Sequence, residues 1–186
     1  YNNPQSWLKE YVDIKMPFGQ LAARLSEAGL TVETWQGTGE NIIFDPEVTP
    51  NRPDWMSVYG IAREIAALTG AKLKAPDPKS ATAKTKGEIT IKPDYKLIPR
   101  MTSVLIKNVK IKPSPDWLAN RIKEIGLRPI NNLVDITNYV LWVYGSPLHV
   151  FDYDKIRGHQ LIVDSAKGGE KFRSLDGLEY TLPAGA

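Results

Sequence analysis

The residues able to do chemistry concentrate between Gly126 and Asp152. An Arg128-Pro129 turn, paired Asn131 and Asn132, a Thr137-Asn138 step and a Pro147-Leu148-His149-Val150-Phe151-Asp152 exit follow one another there. His149 is one of two histidines in the chain. A neutral imidazole donates from one nitrogen and accepts at the other, so this side chain can orient or polarise a bound polar group. Thr137 adds a hydroxyl and Asn138 an amide. Each also has a plainer role. Thr137 inside a helix can bond the carbonyl of the preceding turn, Asn131 and Asn132 can cap and turn, and His149 can be a satisfied turn residue. Asp135 and Asp152 read as struts for Arg128 or Arg157.

Other chemistries are excluded by composition. With no cysteine there is no disulfide framework, cysteine nucleophile or thiolate metal site. Two histidines without a His-Glu-x-x-His pattern argue against a zinc site, so no metal ligand is assigned. No Ser-His-Asp or Cys-His arrangement and no phosphate-cradling glycine loop is visible. A second polar cluster, Glu47-Val48-Thr49-Pro50-Asn51-Arg52-Pro53-Asp54, carries an arginine fork beside Asn51, suited to pinning a corner or to gripping RNA phosphate or a neighbouring domain's carboxylate. Residues 72 to 112 hold eleven Lys or Arg against three acids, Asp77, Glu88 and Asp94. Lys72, Lys74, Lys107 and Lys110 are candidate RNA or domain contacts in this belt, whose plainer reading is a solvated lysine-rich linker.

Helices and strands must position these groups. Leu133, Ile136, Val140 and Val143 predict a helix with one apolar stripe and with Asp135, Asn138 and Tyr139 pointing elsewhere, stopped by Gly145 and Pro147. Upstream, Ser6 is placed as the cap of a short helix through Val12, and Pro17 opens a helix with a Leu21, Leu25, Ala28 stripe that ends at Gly29. Residues 30–35 and 41–45 read as strands around a Gly37-Thr38-Gly39 step. A helix capped by Asp54 or Ser57 buries Val58, Ile61, Ile65 and Leu68 and closes at Gly70. Residues 89–91 and the alternating 102–111 read as strands. Ser114 and Pro115 open a helix with Trp117, Leu118, Ile122 and Ile125 inward, while Trp55, Trp117 and Trp142 read as core. Residues 161–163 form a strand, and Asp176-Gly177 turns a hairpin between 171–175 and 179–182.

The blocks Arg128-Pro129-Ile130-Asn131-Asn132, Val134-Asp135-Ile136-Thr137-Asn138-Tyr139-Val140 and Pro147-Leu148-His149-Val150-Phe151-Asp152 resemble the editing-domain signature of the beta subunits of bacterial phenylalanyl-tRNA synthetases. Glu47 to Asp54 resembles the signature of their N-terminal domain. The resemblance implies an α/β (α+β) fragment or shortened form. A small helix-strand N-terminal domain spans residues 1–71, a basic linker 72–87, and part of a mixed-sheet editing domain with packed helices 88–186. It also implies that the inserted oligonucleotide-binding barrel of relatives is reduced to the step near 37–40. By resemblance His149 corresponds to the editing-pocket histidine and Thr137 and Asn138 to its polar wall, while the glutamate that recognises the phenol lies beyond Ala186.

The parent activity so implied joins phenylalanine to tRNA(Phe) at the expense of ATP and clears mischarged tyrosyl-tRNA by ester hydrolysis. Partners are tRNA(Phe) and the alpha subunit, which holds the ATP, Mg and phenylalanine sites. This chain is expected to bind no cofactor and to be inactive alone in aminoacylation. With no apolar run of about 20 residues and no signal-peptide pattern, a cytoplasmic protein without membrane contact is expected. A non-catalytic RNA-binding or subunit-interaction module is the rival reading, needing the belt and the Asn51-Arg52 corner but not His149 with Thr137.

Overall fold

Pro4 sets the first change of structure. Strand β1 (Asn3–Pro4) runs extended into α1 (Gln5–Leu8), with Pro4 at φ −71° and ψ 128° as the N-cap. Ser6 therefore lies inside the helix rather than capping it, because the proline before Gln5 has already fixed the entry backbone. Helix α2 (Phe18–Glu27) follows Pro17 and buries Phe18, Leu21, Ala22 and Leu25. Gly29, at φ 98°, allows the chain to leave.

The computed structural model describes residues 2–76, 87–174 and 176–186. Most of the expected linker (77–86), with Lys79, Lys84 and Lys86 of the basic belt, lies outside the described residues, as does Leu175 of the expected hairpin. Among the described residues the architecture is α/β, with five helices and three small sheets. No helix among them is long and apolar enough to cross a membrane.

The expected strands at 30–35 and 41–45 are shorter than their patterns, β2 being Trp35–Gln36 and β3 Ile43–Phe44, with β3 in the centre of the antiparallel order β1-β3-β2. Phe44 pairs with both Asn3 and Trp35, and Thr31 contributes only an isolated bridge to Glu47. Gly37 makes the β2–β3 turn possible: at φ 87°, a Cβ there would lie 2.1 Å from the Asn41 carbonyl oxygen. Helix α3 (Val58–Thr69) is capped by Ser57, whose Oγ accepts from the Gly60 N–H, and closes at left-handed Gly70.

The chain divides into two compact units whose limits differ from the sequence domains. One gathers the described residues of Tyr1–Ser80 and Lys110–Val150, the other those of Ala81–Val109 and Phe151–Ala186. The first holds the core. Helices α4 (Asp116–Glu124) and α5 (Asn132–Tyr144) place Leu118, Ile122, Ile125 and Val143 among Trp7, Leu8, Leu25, Ile61 and Ile65. Polar bonds reinforce this packing: Trp7 Nε1 donates to Glu124 Oε2 at 2.7 Å, Trp142 Nε1 to the Asn2 carbonyl at 2.9 Å, and Arg121 pairs with Glu10. Segment 110–150 thus completes the N-terminal core, because its buried faces have their partners there.

In the second unit β4 (Thr90–Pro93) pairs in parallel with β5 (Gln160–Val163), and β6 (Lys171–Arg173) pairs antiparallel with β7 (Glu179–Thr181). The alternation over 102–111 produces no strand. Val104, Ile106 and Ile111 are 75%, 70% and 70% exposed, so the period-two pattern meets neither a buried face nor a pairing partner. Trp117 is likewise exposed, edge-on to Tyr139, while Trp55 is buried and Trp142 half-buried.

Leu118→Ala and Ile122→Ala should each lower stability by about 2–5 kcal/mol, as should Ile61→Ala, since all three open cavities in one core. Urea unfolding of this chain checks the expectation. An unchanged midpoint for the α4 variants would mean that residues 110–150 are not part of that core.

Candidate functional site

The start of α5 is the most densely bonded part of the signature stretch. Asn131 is the N-cap, its Oδ1 accepting from the N–H groups of Leu133 and Val134, both at 3.0 Å. Asn132 reaches back to a separate segment: its N–H donates to the Lys112 carbonyl at 3.0 Å, its Oδ1 accepts from the Lys112 N–H at 3.2 Å, and its Nδ2 donates to the Lys110 carbonyl at 3.1 Å. Asp135 is fully buried. It accepts the Ser114 hydroxyl at 2.5 Å and the Ile130 N–H at 3.0 and 3.2 Å.

Several expectations change here. Ser114 is not a helix cap, since its hydroxyl is committed to Asp135 and Pro115 occupies the N-cap of α4. Asp135 is no arginine strut, and Asp152 pairs with Lys155 at 3.4 Å rather than with Arg157. The core face of α5 is rotated from the apolar stripe. Asp135 and Val143 are its buried residues, with Tyr139 and Trp142 packed against the core, while Ile136 is 36% exposed. A carboxylate satisfied by the Ser114 hydroxyl and the Ile130 N–H outweighed the hydrophobic period because those donors offset its desolvation.

Of the three pocket candidates, Thr137 and Asn138 are neighbours on α5 and half-buried, whereas His149 lies exposed beyond the Gly145 cap. Thr137 Oγ1 donates to the Val134 carbonyl at 2.7 Å, which leaves the oxygen free only to accept. Two concavities among the described residues of the first unit do not include these residues. One is lined by Asp13, Ile14, Lys15, Met16, Thr69, Gly70 and Ala71, the other by strand residues around Trp35 and Phe44. No group of three or more potential metal ligands occurs among the described residues.

Arg52 is committed within its own corner. Nε and Nη2 donate to Asp54 at 2.9 and 2.8 Å, Nη2 also reaches Glu64 at 2.7 Å, and the guanidinium lies 3.7 Å over the Trp55 ring. Glu64 accepts Trp55 Nε1 at 3.0 Å as well. The fork raises the Arg52 pKa, and the Arg52 bond holds the Asp54 carboxyl below its ordinary range. Asn51 is exposed in the preceding turn. Among the lysines, Lys74 pairs with Asp13 and Lys107 with Glu88, both at 3.3 Å, while Lys72 and Lys110 are exposed. Sequence reasoning missed Glu64 as the shared acceptor and Arg121, which stacks over Trp7 and Tyr139. Glu64, on the Arg63-Glu64 pair of a helix otherwise apolar on that side, was the available signal.

Residues 97–186, which include the bonded turn and all of α5, match the B3/4 domain family. Over most of its length the chain is similar to part of phenylalanine-tRNA ligase beta subunits. It is 45% identical over 144 residues to the phenylalanine-tRNA ligase beta subunit of Carboxydothermus hydrogenoformans, covering 77% of this chain and 18% of that protein. With the Geobacter sulfurreducens beta subunit it shares 43% over 164 residues, 86% of this chain and 20% of the relative. With that of Rhodopirellula baltica it shares 37% over 179 residues, 95% and 26%. The chain thus spans about a fifth to a quarter of the length of these relatives.

Asp135→Ala should cost about 2–3 kcal/mol, because the Ile130 N–H and Ser114 hydroxyl lose a charged acceptor; urea midpoints measured beside Asn131→Ala, about 1 kcal/mol, test this. Acid should also loosen the Arg52 corner. With its pKa depressed, Asp54 adds stability that is complete above the ordinary carboxylate range and lost as pH falls through the lowered value. An Asp54→Asn variant should flatten that part of an acid-unfolding curve, and an unaltered curve would deny the corner this role.

Proposed function

We propose that this chain supplies the tRNA-handling and editing region of a phenylalanine-tRNA ligase beta subunit, acting in the cytoplasm beside an alpha subunit. The observation that carries the reading is the 43% identity with a beta subunit over 86% of the chain. ATP and Mg chemistry belongs, on this reading, to the alpha subunit.

The need for editing is physical. An apolar pocket built for phenylalanine cannot strongly reject a ligand that merely adds a hydroxyl, a discrimination of roughly a hundredfold in comparable cases. A second site hydrolyses the wrong ester. Water attacks the ester carbonyl carbon, the bond to the ribose 3′ oxygen breaks, and the proton passes to that oxygen. His149, exposed and without a hydrogen bond among the described residues, is available to orient water or the phenol. Thr137 can only accept, its proton being held by Val134. Asn138 offers both donor and acceptor. Asn51, Lys72, Lys74, Lys107 and Lys110 supply RNA contacts, whereas Arg52 holds the corner that presents Asn51.

The test is release of tyrosine from tyrosyl-tRNA(Phe), by this chain alone and within a full-length beta subunit assembled with its alpha subunit. His149→Ala should slow release by about a hundredfold or more, the scale of losing one polarising donor, with tRNA affinity unchanged. Equal release by parent and variant would remove His149 from the chemistry. No release by either form would favour the non-catalytic interaction module.

A further inference from the structure

The Asn132 and Asp135 bonds have an effect beyond holding α5. They lay residues 110–114 alongside 130–132, two residues after Arg128, since Lys110 and Lys112 are tied to Asn132, and Ser114 and Ile130 meet on one buried carboxylate. Both segments belong to the first compact unit. The clasp consumes outward acceptors: the carbonyls of Lys110 and Lys112 accept from Asn132, and the Asp135 carboxylate is buried. What remains is positive. Lys110, Lys112 and Arg128 are all exposed and form no ion pair among the described residues. Neither segment contains an acid, and of the exposed acids that flank them in sequence Asp116 lies in the first turn of α4, where the helix dipole favours a negative charge, and Glu124 accepts the Trp7 indole N–H. By contrast Lys9, Lys74, Lys107 and Lys171 each have a carboxylate partner.

We infer that Lys110, Lys112 and Arg128 form one phosphate-binding surface for RNA, set by the Asn132 clasp. This rests on the RNA-handling reading above and narrows it. The surface lies on clasped segments whose backbone is fixed before binding, rather than being spread along the whole basic belt, and Arg128, outside that belt, is part of it. Preset backbone lowers the ordering cost of binding at each residue. Arg128 can fork two phosphate oxygens while the lysines act as point charges. The exposed Ile111 and Ile130 beside them, 70% and 66% open, offer apolar cover to ribose faces.

The experiment measures binding of tRNA(Phe) transcript to a full-length beta subunit assembled with its alpha subunit, across salt concentrations. Each phosphate neutralised by one cation fewer should reduce the slope of log K against log[salt] by about 0.7–0.9, so Lys110→Gln, Lys112→Gln and Arg128→Gln together should reduce it by about 2–3. Lys171→Gln, a paired lysine, should leave it unchanged. Asn132→Ala, which keeps every charge, should weaken binding with a smaller change of slope. Circular dichroism and urea midpoints confirm that the variants fold. An unaltered slope in the triple variant while the parent binds well overturns the surface but leaves RNA handling standing. Absence of salt-dependent binding by the parent takes down the wider reading too. Loss of alpha-subunit association with an unchanged RNA slope would make this a protein interface and also overturns the inference.

Discussion

A single buried carboxylate sets the geometry on which the candidate sites depend. Asp135 is wholly removed from water with no cation beside it among the described residues, and a charge so placed is tolerable only if hydrogen bonds replace its hydration. The Ser114 hydroxyl and the Ile130 amide do this. Meeting that requirement fixes three things together: the approach to α4, the Arg-Pro-Ile turn, and the rotation of α5. Tyr139 and Trp142 then turn toward the N-terminal helices, where Tyr139 lies 5.6 Å from Trp7 and Arg121 lies over both rings. Burial raises the Tyr139 phenol's pKa, as expected of a ring packed into this wall.

This rotation explains what was legible in the sequence and what was not. The caps and stops of α3 and α5 were readable because Ser57, Gly70, Asn131 and Gly145 act through local backbone bonds. The Asp-Gly hairpin and the strand at Leu161–Val163 were readable from equally local patterns, a turn dipeptide and a short β-branched run. The face of α5 was not, because hydrophobic periodicity assumes that apolar groups take the inside, and here a polar group with its own donors took it. The Ser114 cap failed likewise, a longer-range acceptor claiming the hydroxyl. Alternation over 102–111 misled because a strand needs a partner as well as a pattern.

Sequence resemblance singled out Thr137, Asn138 and His149 as pocket candidates, and the structure separates their bonding. The Thr137 hydroxyl donates to the Val134 carbonyl, whereas His149 is exposed. The Asn51-Arg52 corner resolves differently. The arginine is saturated by Asp54, Glu64 and the Trp55 face, so its charge is internally compensated and it acts on anything outside only by holding the turn. That distinction between a satisfied and an unsatisfied cation could not be read from spacing, because Glu64 lies twelve residues away on the next helix.

The two compact units also differ in what stabilises them. Every buried hydrophobic residue of the core cluster belongs to the first. The described residues of the second include no fully buried side chain, and its parallel β4–β5 pair leaves Ile162 64% exposed. Parallel strands normally have both faces covered. Main-chain ladders and exposed ion pairs such as Lys171–Glu179 contribute little beside a core. Chemistry that needs positions held to a fraction of an ångström therefore has its firmest support on α5 and the clasped segments. His149, exposed and shortly past the Gly145 cap of α5, sits at the edge of that support.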